Sequence, residues 1–140
     1  MKYLGIDYGT KRIGLATSDT GGSLAFPLTT VKAGPRALGE IVEILKKEGV
    51  ESVVLGESRN FKGETNKVME DIEQFKKDLE ELAGLSVAYE AEFLTSAGAA
   101  RQFEGDFGRG EKPSQEKLDA SAAAMILQSF LDRMKNNGTN

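Results

Sequence analysis

The sequence predicts an α/β fold: a mixed five-stranded sheet of order 3-2-1-4-5 with helices on both faces. Three features predict it. Residues 2–31 read as three short strands joined by tight turns, an antiparallel meander. From residue 34 onward, apolar stripes of helical period alternate with short runs of strand length. Right-handed crossovers can then carry the fourth strand to the side of the first.

The first strand is Lys2–Asp7, and Tyr8-Gly9-Thr10-Lys11 is its turn, with Gly9 free to take positive φ. Arg12–Ser18 is the second strand. Ile13, Leu15 and Thr17 share one face, while Gly14, Ala16 and Ser18 share the other, a face small enough for a close neighbour. Asp19-Thr20-Gly21-Gly22 turns into the third strand, Leu24–Val31, which Pro27 assigns to a sheet edge because proline cannot donate to a ladder. Gly34-Pro35 opens the first helix, whose stripe is Leu38, Ile41, Val42 and Leu45; Gly49 ends it. Ser52–Leu55 reads as a buried parallel strand, followed by a polar loop over 56–67. A second helix covers 65–83 with the stripe Val68, Ile72, Phe75, Leu79 and Leu82, and Gly84 caps it. Leu85–Phe93 alternates as a strand, with Ser86, Ala88, Glu90 and Glu92 on its polar face. A short helix to about 103 and a Gly-rich charged loop over 104–113 follow. The last helix spans 114–133 and buries Leu118, Ala122, Met125, Ile126, Phe130 and Met134. The expected organisation is one domain over 1–135 and a disordered tail over 136–140.

Composition narrows the chemistry. There are 140 residues, enough for one real core, and no apolar run of membrane-spanning length. The first strand begins at the start of the chain, so no signal peptide is expected. Cysteine and histidine are both absent, which removes disulfides, thiolate sites, imidazole acid–base catalysis and Ser-His or Cys-His nucleophiles. Chemistry must come from carboxylates, Lys, Arg, Tyr, hydroxyls or a bound metal. The net charge of −4 opposes broad nucleic-acid binding but leaves room for a local basic patch.

Two distant acids stand out. Asp7 ends an otherwise apolar strand at the centre of the expected sheet, where a carboxylate must be paired or hold a cation. Capping the turn is an equally open role for it. Asp119 sits near the start of the last helix beside Leu118 and Ala122, so it can point towards the sheet; an acid favoured there by the helix dipole is the plainer reading. A third acid is Glu57, after the fourth strand, or Glu92, at the end of the fifth. Strand order alone favours Glu57, and an ordinary loop or solvent-facing acid remains the alternative for each. Such a cluster repels itself unless protonated or bridged by cations, and Mg²⁺ prefers oxygen donors. Two such ions about 4 Å apart can activate a water and stabilise the leaving oxygen of a phosphodiester. Lys11, Arg12, Arg59 and Lys62 fall in loops where they can contact phosphates, as do Arg101, Arg109, Lys112 and Lys117; solvated loop charge is the alternative for each.

The stretch Gly5-Ile6-Asp7-Tyr8-Gly9-Thr10-Lys11-Arg12-Ile13-Gly14-Leu15-Ala16-Thr17-Ser18-Asp19 resembles the opening motif of the YqgF family, also called RuvX, Holliday-junction-resolvase-like proteins. Gly56, Asn60 and Gly63 resemble the spacing of its second motif, Glu92-Phe93-Leu94-Thr95-Ser96 its third, and Asp119 through Gln128 its last. Ala91 and Phe93 stand where the family has aspartate and arginine, and Glu57-Ser58 where it has Leu-Pro. The resemblance implies an RNase H-like fold and a nuclease using Mg²⁺ or Mn²⁺, two ions held by Asp7, Glu92 and Asp119. It further implies a cytoplasmic role in maturing pre-16S rRNA, with the small-subunit precursor as partner. Branched DNA is the other substrate, and a four-way junction would favour a homodimer over a monomer, with the Leu24–Val31 edge as one place for it to form. Two further readings compete: a non-catalytic RNA or ribosome-assembly module, and a nucleotide-phosphate binder of the actin and sugar-kinase type, which shares the Gly-Ile-Asp-x-Gly-Thr strand but needs two such domains.

Overall fold

The computed structural model describes residues 1–9, 11–57, 65–90 and 115–138, with backbone alone at 57, 65–69, 115–118 and 136–138. The elements are β1 (Tyr3–Tyr8), β2 (Arg12–Ser18), β3 (Ala25–Lys32), α1 (Ala37–Glu48), β4 (Ser52–Glu57), α2 (Thr65–Ala83), β5 (Val87–Glu90) and α3 (Gln115–Gly138). The sheet runs β3-β2-β1-β4-β5, the expected order. β1 pairs antiparallel with β2 and parallel with β4; β2 pairs antiparallel with β3, and β4 parallel with β5. Pro27 lies on the edge strand as expected, with Leu24, Phe26 and Leu28 exposed around it. Asp19 closes the turn before it, accepting the backbone N–H of Ser23 at 2.7 Å and of Leu24 at 3.0 Å.

Strand alternation divides the core by side-chain size. Leu4 and Ile6 of β1, Ile13 and Leu15 of β2, and Val53 and Leu55 of β4 face α1 and α2, where Ala37, Ile41, Leu45, Ile72 and Leu79 close over them. The opposite face carries Gly5, Gly14, Ala16, Val54 and Gly56, and α3 covers it with Ala123, Ala124, Ile126, Leu127 and Leu131. A Cβ on Gly5 would lie 2.6 Å from the Leu127 Cβ, and one on Gly56 2.8 Å from Ile126 Cγ2. The glycines are what let the helix come this close.

Several expectations change. The buried face of α3 is rotated: Ala120, Ala123, Ala124, Leu127 and Leu131 are buried, whereas Ala122, Met125 and Phe130 are half-buried and Met134 is exposed. Alanines together with Ile126 and Leu127 fill the space over the glycines. α3 also continues to Gly138, past the expected end at 133 and into the expected tail, because nothing before that glycine stops a helix. Leu82 of α2 is exposed rather than buried. Pro35 precedes α1 instead of opening it: Ala37 N–H bonds to the Gly34 carbonyl, and Arg36 occupies the N-cap. Gly9 does not take positive φ; a Cβ there would overlap the Arg12 carbonyl, so close approach is its reason. The predicted helix to 103, the loop over 104–113 and the last residues of the fifth strand lie outside the described residues.

Glu90 on β5 is only 1% exposed. It lies on the α3 face and is met there by Arg133, which donates to Oε1, and by Ser129, whose Oγ donates to Oε2 at 3.3 Å. Removing the arginine strands a buried acid. Arg133→Met is expected to cost about 1–3 kcal/mol in urea denaturation, discounted because the guanidinium is half exposed. Adding Glu90→Gln to it is expected to recover part of the loss, since the uncompensated charge is then gone.

Candidate active site

Asp7 is the penultimate residue of β1 and is 7% exposed. Its ladder partners are Gly14 on β2 and Gly56 on β4. The row continues outward to Thr30 on one side and Glu90 on the other. Both immediate neighbours of the acid therefore lack side chains, and α3 packs into their place, with the Asp119 backbone over Gly14 and Ile126 over Gly56.

Asp119 reaches the same place from α3. A Cβ on Gly14 would overlap the Asp119 carbonyl oxygen. One glycine thus stands beside both acids, opposite Asp7 in the ladder and beneath Asp119 in the helix. The Asp119 carboxylate is half-buried and accepts from Arg12 Nε at 2.8 Å. Arg12 opens β2 and is two residues from Gly14, so it shares the α3 face. The structure therefore gathers Asp7, Asp119 and Arg12.

The other expected residues stand differently. Lys11 is exposed at the turn, and its carbonyl accepts the Ala33 N–H at 3.0 Å. Glu57 is in register with Tyr8, so Gly56 and not Glu57 lies opposite Asp7. Glu92, Arg59, Lys62, Arg101, Arg109 and Lys112 lie outside the described residues, as does the side chain of Lys117. Among the described residues no three acids gather into a metal-binding group. Sequence reasoning missed the burial of Glu90, which it placed on a polar strand face. The only available signal was an arginine forty-three positions away.

Tyr8 follows Asp7 but points to the opposite face. It packs on Phe75 at 5.3 Å between ring centroids. Burial, reinforced by the charge of Asp71, raises its phenol above the ordinary value. A cavity of about 300 Å³ there is lined by Tyr8, Ile13, Pro35, Leu38, Asp71 and Phe75 among others, and the sheet separates it from Asp7.

The chemistry available on the α3 face is that of carboxylates and a guanidinium. Oxygen donors alone suit a hard divalent cation. The guanidinium on Asp119 shows that this carboxylate accepts a cation where it stands.

The family described as "RuvX: Holliday junction resolvase" matches residues 1–133. The chain is 37% identical, over 99% of both chains, to a protein of Nitratidesulfovibrio vulgaris named "Putative pre-16S rRNA nuclease". It is 38% identical to a protein of the same name from Caldanaerobacter subterraneus, over 98% of this chain and all of the relative. Among solved structures it resembles Thermus thermophilus RuvC in complex with a Holliday junction substrate, with a TM-score of 0.63 and 23% identity over 96% of each chain. That likeness bears on the fold, which is RNase H-like.

The glycine beside both acids is open to a direct test. Gly14→Ala forces the Asp119 backbone away from β2 and is expected to cost about 1–3 kcal/mol in chemical denaturation. Gly39→Ala is the control: nothing lies within 4 Å of a Cβ there. It sits on the exposed side of α1 and is expected to gain up to about 1 kcal/mol.

Proposed function

The chain belongs to the RuvX family, a family of nucleases, and from that premise we propose that it hydrolyses phosphodiester bonds with the acid set Asp7, Glu92 and Asp119. The observation that carries this reading is the burial of Asp7 between two glycines, one of which also seats Asp119. An ordinary turn cap needs neither a buried central-strand position nor a helix that carries a second acid packed against the next strand.

Divalent ions, Mg²⁺ or Mn²⁺, would be held by those carboxylates and would supply Lewis acidity towards the phosphate oxygens. The donor set fits: with no histidine or cysteine in the chain, every candidate side-chain ligand is a hard oxygen. The rest is the work of the protein's own groups. Asp7 is held by the central strand and Asp119 by the Gly14 contact, so neither acid needs to be ordered when substrate arrives. Lys11, Arg12, Arg59 and Lys62 steady the flanking phosphates. Glu92 is preferred to Glu57 as the third acid, in keeping with the register that sets Glu57 beside Tyr8.

The substrate is the precursor of 16S rRNA, trimmed at its 5′ end on the small-subunit precursor in the cytoplasm. The names of full-length relatives at 37% and 38% identity support this choice. The family description favours a second reading, cleavage of a Holliday junction. Among the described residues no helix is long and apolar enough to cross a membrane.

A cleavage panel under Mg²⁺ or Mn²⁺ tests both readings. It sets single-stranded RNA, a precursor 5′ end, duplex DNA and a four-way junction against wild type and Asp7→Asn. Wild type is expected to cut the precursor, with a loss of about a hundredfold or more in the variant and in EDTA. Equal cutting by Asp7→Asn overturns the acid assignment. Cutting of the junction alone transfers the reading to a resolvase. Metal-independent binding without cleavage transfers it to an assembly module.

A further inference from the structure

Arg12 and Asp119 are 107 positions apart in the chain, yet both ends of their ion pair are set by backbone. Gly9 packs against the Arg12 carbonyl in the β1–β2 hairpin, and Gly14 packs against the Asp119 carbonyl. The contact is made through Nε at 2.8 Å. Among the described residues it is the one hydrogen bond of the Arg12 side chain, so Nη1 and Nη2 are available to another acceptor. The Arg12 side chain is 39% exposed and that of Asp119 20%. The pair therefore lies at the rim of the site, with the acid inward and the guanidinium outward.

We infer that Arg12 is the resident counter-cation of Asp119, which a divalent ion must displace before the site is loaded. This rests on the reading of Asp7 and Asp119 as cation ligands. Asp7 and Asp119 lie on either side of one glycine. The guanidinium on Asp119 places a positive charge on that carboxylate from the exposed side. When a divalent ion takes the carboxylate, Coulomb repulsion drives the guanidinium off the same oxygen. Its exposure then gives it one favourable destination, an anion arriving from solvent. The fork that held Asp119 through Nε is suited to grip a phosphate in a bidentate manner. Arg12 is thus a positioning residue in the metal-free protein and a substrate contact in the loaded one. The exchange makes metal loading and phosphate capture favour each other.

The test reads metal affinity and metal-free stability, not turnover. Mn²⁺ binding is measured by calorimetry, and by the electron-spin resonance of free Mn²⁺, for wild type, Arg12→Gln, Arg12→Lys and Asp7→Asn. Melting is followed for the same proteins in EDTA. Arg12→Gln is expected to bind Mn²⁺ about two- to fivefold more tightly than wild type, the range of a partly exposed ion pair released from competition. In EDTA it is expected to melt at a lower temperature. Arg12→Lys, which keeps the charge, is expected to return both values towards wild type. A general loss of structure would lower the melting point but would not tighten metal binding. Unchanged or weaker Mn²⁺ binding by Arg12→Gln, alongside wild-type binding that Asp7→Asn abolishes, overturns the inference and leaves the acid site standing. Absence of Mn²⁺ binding by wild type, or binding that Asp7→Asn does not alter, overturns the acid site itself and the inference with it.

Discussion

The close approach of α3 to one face of the sheet is the constraint on which the rest of the structure depends. Gly5, Gly14, Ala16 and Gly56 remove the side-chain layer that normally separates a helix from strands. Alanines and the Leu127 side chain of α3 take up the space. Any Cβ added at Gly14 meets backbone rather than a flexible side chain, so the contact cannot relax by a rotamer change. The other face of the sheet is an ordinary large-residue core, and it supplies most of the apolar burial. The two faces have different tasks: one stabilises the fold, and the other brings a helix within reach of the central strand.

That approach also brings Asp119 to the central strands. The ladder neighbours of Asp7 are glycines, and the backbone of Asp119 packs on one of them. A buried carboxylate in such a place calls for a hydrogen-bond donor or a cation. Gly14 carries both contacts, since it lies opposite Asp7 in the ladder and against the Asp119 backbone in the helix.

The order of strands was legible because each rests on a local signal: alternation, a turn glycine, or a proline barred from an interior strand. The placement of Asp7 was legible for the same reason. The buried face of α3 was not, because periodicity weighted by hydrophobicity favours Met125, Phe130 and Met134, whereas the helix turns Ala120, Ala123, Ala124 and Leu127 to the sheet. The ion pairs Arg12–Asp119 and Glu90–Arg133 join segments that carry no mark of each other along the chain. Arg12 read as a loop cation and Glu90 as a solvent-facing acid, since a single charged residue states its sign but not its partner. Strand order favoured Glu57 and the family resemblance Glu92, and it took the ladder register to show that Gly56 is what lies beside Asp7.

These two ion pairs explain why α3 lies where it does along its length. Near its N-terminal end the helix gives an acid to Arg12 on β2; towards its C-terminal end it gives an arginine to Glu90 on β5. The helix is thus fastened diagonally across the sheet by one ion pair towards each end, with the glycine contacts between them setting the depth. The two fastenings differ in one respect that bears on function. Glu90 is enclosed, and its arginine has nowhere better to go while the acid is charged. Asp119 is partly open, and its arginine is the more exposed partner. A cation or an anion entering from solvent can exchange at the N-terminal fastening while the C-terminal one holds, so the site can change its charge partners without releasing the helix that builds it.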